Sequence, residues 1–216
     1  MRLALIPSPF LGPASWSLVA SHLEDGCVAD HGGVSGPDWF DGAAQRIVAQ
    51  VDDEPWTAVL HSSAGAFAPS LSAVAARLKG LVFVDAVLPH PGKSAADLAP
   101  RGQIDGLRKI TSEGLIARWD RWFAPAVIES WAPDAKARAT CLADIPQVPL
   151  AFLEAQAPCH AEWERLPATY VKLSEGFERN ATRAEALGWN TRRLDLGHLG
   201  MISHPAALAA TLLDVR

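Results

Sequence analysis

No stretch of the chain reaches the roughly 18 apolar residues of a membrane-spanning helix, and nothing else in it predicts a membrane partner. Prolines 7 and 9 cut the opening MRLALIPSPF short of the about 7 to 15 residue apolar core of a secretory signal. Cysteine is scarce and odd in number. Cys27, Cys141 and Cys159 are too widely spaced for a disulfide framework, which fits a reducing cytoplasm. Basic residues do not outnumber acidic ones: 19 Lys and Arg against 24 Asp and Glu leave a formal charge of −5, so the chain has no positive field for nucleic acid. Metal and nucleotide signatures are missing as well. There is no His-Glu-x-x-His and no paired Cys-x-x-Cys, and Cys159-His160 alone is too little for zinc. Gly32, Gly33 and Gly36 do not make a G-x-G-x-x-G turn, and no P-loop is present. Internal repeats and low-complexity tracts are absent.

What is there is an ordinary globular composition over 216 residues, enough for one domain to bury a core without disulfides or metals. Apolar runs alternate with helical spacings. Residues 2–6 suit a buried parallel strand ended by Pro7. Trp16, Val19, Ala20 and Leu23 then share one helical face, with Ser15 as expected N-cap. A short strand at 27–29 precedes the turn-rich HGGVSGPDWFDG, and Ala43, Ile47 and Val51 mark a helix. A strand at 57–61 runs into His-Ser-Ser-Ala-Gly. Phe67, Leu71, Val74 and Leu78 follow at helical spacing up to Gly80, with Pro69 expected to kink that helix. LVFVD, 81–85, is the fourth strand. This alternation predicts a parallel, doubly wound sheet of about six strands, with ligands at the carboxyl ends of its strands.

Between 88 and 167 the alternation stops and prolines divide the chain into short helical pieces, one of which carries Trp119, Trp122 and Phe123. Such an insertion is expected to cap a site. Trp119, Trp122 and Trp131 are candidates to line an apolar pocket, with core packing as the alternative. The sheet pattern resumes at 169–173, a helix around 181–187 ends at Gly188, and a strand at 191–196 leads through LGHLGMISHP to a final helix at 206–213.

A serine on a strand-to-helix turn is a common way for an α/β protein to expose a nucleophile. Ser62 and Ser63 both qualify; the alternative is that both hydroxyls merely cap the following helix. Read together, LALIPSPFLGPASW, VLHSSAGAF, LVFVDAVLP and GHLGMISHP resemble, in order and spacing, the α/β-hydrolase superfamily over essentially the whole chain. The form implied lacks the N-terminal hairpin of many relatives. The resemblance implies a nucleophile at Ser62, with Ser63 as the other register, and a general base at His198. The acid is Asp85 after the fourth strand or Glu175 after the fifth. His22 and His31 read as surface or loop residues, and His204 as part of the approach to the last helix. Where relatives carry His-Gly in the oxyanion loop, this chain has Pro7-Ser8-Pro9, and Pro9 has no N–H to give. Phe10 N–H, Ser8 or Ser63 is then expected to serve. The implied activity is hydrolysis of a small to medium apolar ester, thioester or lactone without metal or cofactor. The alternatives are a lyase, isomerase or cyclase using the same serine and histidine, or a non-catalytic ligand-binding relative.

Overall fold

Arg2–Ile6 (β1) lies inside a parallel sheet, with a strand on either side, and its nearly all apolar side chains are buried on both faces, as the uninterrupted apolar run requires. The protein, described by a computed structural model over residues 1–34, 36 and 38–215, builds six strands into that sheet. Ser35 and Pro37, within the glycine-rich turn region, and Arg216 lie outside the described residues. The other main-sheet strands are β2 (Gly26–Val28), β3 (Trp56–His61), β4 (Leu78–Val84), β7 (Ala168–Lys172) and β8 (Asn190–Arg193), in the spatial order β2-β1-β3-β4-β7-β8. From β1 the chain goes outward to β2, then returns to the other side of β1 with β3. This reversal leaves a crevice at the carboxyl ends of β1 and β3, where α/β sheets bind ligands.

Helices flank the sheet: α1 (Ser17–Ala20), α2 (Asp41–Val51), α3 (Ala68–Val74), α9 (Glu178–Ala186), α10 (Gly200–Ser203) and α11 (Pro205–Val215). Between β4 and β7 come five short helices, α4 (Ala95–Leu98), α5 (Gln103–Lys109), α6 (Pro125–Trp131), α7 (Ala135–Ala143) and α8 (Leu150–Glu154), and a two-stranded hairpin, β5 (Thr111–Ser112) and β6 (Leu115–Ile116). Among the described residues no helix is long and apolar enough to cross a membrane.

Three local expectations are corrected. Ser15 does not cap a helix at Trp16. Pro13 opens a 3-10 turn, Pro13–Trp16, and the Ser15 hydroxyl donates back to the Gly12 carbonyl at 2.7 Å. Pro69 produces no kink, because a 3-10 segment, Ser62–Phe67, intervenes and puts Pro69 in the first turn of α3, where no N–H is needed. The same helix stops at Val74. Ala75 turns extended, with ψ 110°, so Leu78 and Gly80 belong to β4.

Candidate active site

The site is assembled at the ends of β1, β3 and β4 and in the loop after β8. β3 is buried along its whole length and delivers His61, then Ser62, into the 3-10 segment. Ser62 has φ 54°, in the left-handed region that L-residues avoid, whereas Ser63 is not among the positive-φ residues. No side-chain oxygen caps the segment's start, and its first N–H groups, Ser63's among them, have no preceding turn to bond to. The bend is held from the neighbouring strand end: Val87 N–H donates to the Ser62 carbonyl at 3.0 Å. Gly65 is needed at that contact, because a Cβ there would lie 1.9 Å from the Val87 carbonyl oxygen.

Asp85 also has a positive φ, 43°, and is fully buried. Among the described residues three non-glycine residues have positive φ, and two of them sit at this site, where such strain commonly collects. Asp85 Oδ1 accepts from the N–H groups of Leu173 and Ser174 at 2.8 and 2.9 Å, and Oδ2 accepts from the Ser174 hydroxyl at 2.5 Å. His198 Nδ1 meets the same Oδ2 at 2.7 Å. Burial opposes ionisation of Asp85, but the hydrogen bonds from His198, Ser174 and Leu173 outweigh it and hold the carboxyl below its ordinary value. An ionised carboxylate only accepts, so Nδ1 carries a proton, and the lone pair of the neutral ring is the one on Nε2. Gly197, with φ 73°, makes the turn that brings His198 back over the sheet, its N–H donating to Leu173 O at 3.0 Å.

The imidazole is held on its ring faces too. Phe177 stacks on His198 with centroids 5.0 Å apart and an interplanar angle of 4°, and His61 lies 4.7 Å away. His61 Nε2 donates to the His198 carbonyl at 3.1 Å. Complete burial, with the nearby His198 adding to it, drives the His61 pKa down to about 3, so this second imidazole is neutral.

Ser62, Ser63 and His198 open on a cavity of about 810 Å³, within the range of small-molecule sites. Ser8, Phe10, Trp119 and Trp122 are among its lining residues. Trp131 is not; it packs on Trp119 and Phe123 at 5.8 and 4.9 Å. The Phe10 N–H points to Ser8 Oγ at 3.3 Å, a long bond between two groups of the same loop. Glu175, the other candidate acid, is not brought to His198. Its side chain is 91% exposed and pairs with Lys172 at 3.2 Å. His31 lies in a loop but is buried, not at the surface. Among the described residues, no group of three or more His, Cys, Asp or Glu is placed to hold a metal ion.

Sequence reasoning missed Ser174, Phe177 and Tyr170, and saw His61 only as a flank of the serine. Tyr170 was detectable, as the chain's single tyrosine within an apolar strand; its hydroxyl donates to Ala86 O at 2.7 Å and accepts from Ala86 N at 3.1 Å, fixing the backbone beside Asp85.

No curated protein sequence matches the chain. Solved structures do. An extracellular alpha/beta-hydrolase from a Paenibacillus species, described as sharing structural and functional homology with tobacco salicylic acid binding protein 2, is 18% identical, with a TM-score of 0.75 over 100% of this chain and 98% of its own. A pyrethroid hydrolase from Sphingobium faniae is 17% identical, with a TM-score of 0.72 over 99% and 96%. A bromoperoxidase from Bacillus anthracis is 18% identical, with a TM-score of 0.69 over 99% and 91%. At these identities the likeness is one of fold. The family model described as the alpha/beta hydrolase family matches residues 3–211, nearly the whole chain, and the protein belongs to that family.

Proposed function

We propose that the protein is a serine hydrolase acting on a small to medium ester, thioester or lactone with an apolar body. The observation that carries this reading is the Asp85–His198 pair, whose histidine lines the same cavity as the strained Ser62. Ser62 Oγ attacks the substrate carbonyl while His198 Nε2 takes its proton, and Asp85 steadies the imidazolium that forms. Collapse of the tetrahedral intermediate breaks the acyl–oxygen or acyl–sulfur bond, and His198 returns the proton to the leaving group. Water then repeats the sequence on the acyl-enzyme. The negative oxygen is received by Ser63 N–H, at the open start of the 3-10 segment, and by Phe10 N–H once it is released from Ser8 Oγ. Residues 88–167 act as a cap whose Trp119 and Trp122 hold the apolar part of the substrate.

A fluorophosphonate probe followed by peptide mass analysis tests the mechanism. The expected result is one adduct, on Ser62, lost in Ser62→Ala and retained in Ser63→Ala. An adduct on Ser63 moves the nucleophile, and no adduct on folded protein removes the acyl-enzyme. Pro9 and the engaged Phe10 N–H favour one competing reading, a lyase, isomerase or cyclase in which Ser62 and His198 only move protons. It predicts that simple esters are not turned over at all.

A further inference from the structure

The substrate cavity has a polar wall that a purely apolar substrate would leave unused. Its lining includes Arg179, Asn180 and Arg183 from α9, with His90 from the loop after β4. None of the cavity's lining residues is Asp or Glu, although the chain as a whole is acidic. Helix phase explains the segregation. Glu178 and Glu185, seven residues apart, lie on one face of α9 and pair with Lys172 and Arg193 at the sheet edge. Arg179 and Arg183, four apart, lie on the next face and reach the cavity instead. Neither has a carboxylate partner among the described residues. The Arg183 charge is also close enough to His90 to add to the burial that keeps its imidazole neutral.

Given the hydrolase reading above, on which this step rests, we propose that the preferred substrates carry an anionic group, such as a carboxylate, several bonds from the scissile carbonyl, and that Arg179 and Arg183 receive it. Guanidinium groups bind carboxylates through paired charge-assisted N–H donors. The geometry sets the spacing. Phe177 stacks on His198, and Arg183 follows six residues later, about 9 Å along the helical rise. α9 borders the same cavity as Ser62, Trp119 and Trp122, so one substrate can reach all three. Because both arginines are exposed, their attraction is screened by salt.

The test compares 4-nitrophenyl adipate half-ester with its terminal primary amide, which matches it in shape but is neutral. At low ionic strength kcat/KM for the carboxylate is expected to exceed that for the amide by about 5-fold or more, falling towards parity in 0.5 M salt. In the Arg179→Gln/Arg183→Gln variant the kcat/KM of the carboxylate should fall to that of the amide measured in the same variant, and Arg183→Glu should reverse the preference. Equal rates on the two esters, or a preference that survives the double substitution, would overturn the proposal. A binding arm separates it from the hydrolase reading. Adipic acid monoanilide and its primary amide, neither carrying an activated ester, are titrated against tryptophan fluorescence. Tighter binding of the acid by about 5-fold, lost in the double variant, supports the anion site even if no ester is turned over; equal binding refutes the site whether or not esters are cleaved.

Discussion

The adjacent strands β4 and β7 are each followed by a carboxylate, Asp85 and Glu175, and the two have opposite fates. Asp85 is drawn into the sheet's end, is fully buried, and accepts four hydrogen bonds, one from His198. Glu175 stands in solvent and meets Lys172. The difference comes from what the backbone offers. The chain leaving β7 turns its Leu173 and Ser174 N–H groups towards β4, not towards its own acid, so the binding place for a carboxylate at β7 is filled from the neighbouring strand. A buried carboxylate needs such donors to stay ionised, and an exposed one needs none.

The comparison breaks most sharply through Asp85→Asn. The amide would present N–H to His198 Nδ1 and force the proton onto Nε2, so kcat on an activated ester is expected to fall by about 10⁴, as tautomer reversal does in Ser-His-Asp triads. Urea midpoints measured alongside separate this loss from unfolding. An intact kcat would mean that the charge at β4 is structural only.

Acid should act on the buried side of the pair first. Burial lowers the pKa of His31, His61 and His90, so these imidazoles stay neutral in the folded protein while the unfolded chain protonates them below about pH 6.5. Stability is therefore expected to fall as pH drops below that value, each histidine adding a slope of up to about 1.4 kcal/mol per pH unit; for His61 this continues towards about 3. The depressed Asp85 adds its own loss in the same direction, present above the ordinary carboxylate value and surrendered as pH falls through the folded one. Urea unfolding at pH 7.5, 6.5 and 5.5 measures the slope. His61→Gln, which retains an N–H for the His198 carbonyl, should remove one histidine's share; a flat profile would contradict the burial described.

Glu175→Gln is expected to do least. It breaks an exposed pair with Lys172, so kcat/KM should stay within about twofold of the parent and the urea midpoint should not move measurably. A large loss there would put a second acid into the mechanism.

Much of this arrangement was legible in the chain. Uninterrupted apolar runs found β1, β3, β4 and β7 to within a few residues, because parallel strands buried on both faces need no alternation, whereas the less buried edge strands β2 and β8 were legible only from their place in the strand-helix order. The serine turn and Gly197-His198 stood out through glycine and position. The rest depended on distance. In the sequence Asp85 is favoured over Glu175 only by the apolar strand before it, and the hydrogen bonds between the ends of β4 and β7 are what separate the two acids. Pro69 misled because a 3-10 segment shifts helical phase without changing composition. The role of α9's arginines was hidden for a related reason, since it rests on a rotation of the helix that only its neighbours fix.

Tyr170 gives the molecule an optical handle on its own centre. It is the only tyrosine, and burial together with the Asp85 charge raises its phenol well above the ordinary value. In the native protein the phenol should remain protonated through alkaline titration, so tyrosinate absorbance should emerge only when the end of β4 comes apart. One chromophore, needing no label, would time the loss of the strand end that carries the acid.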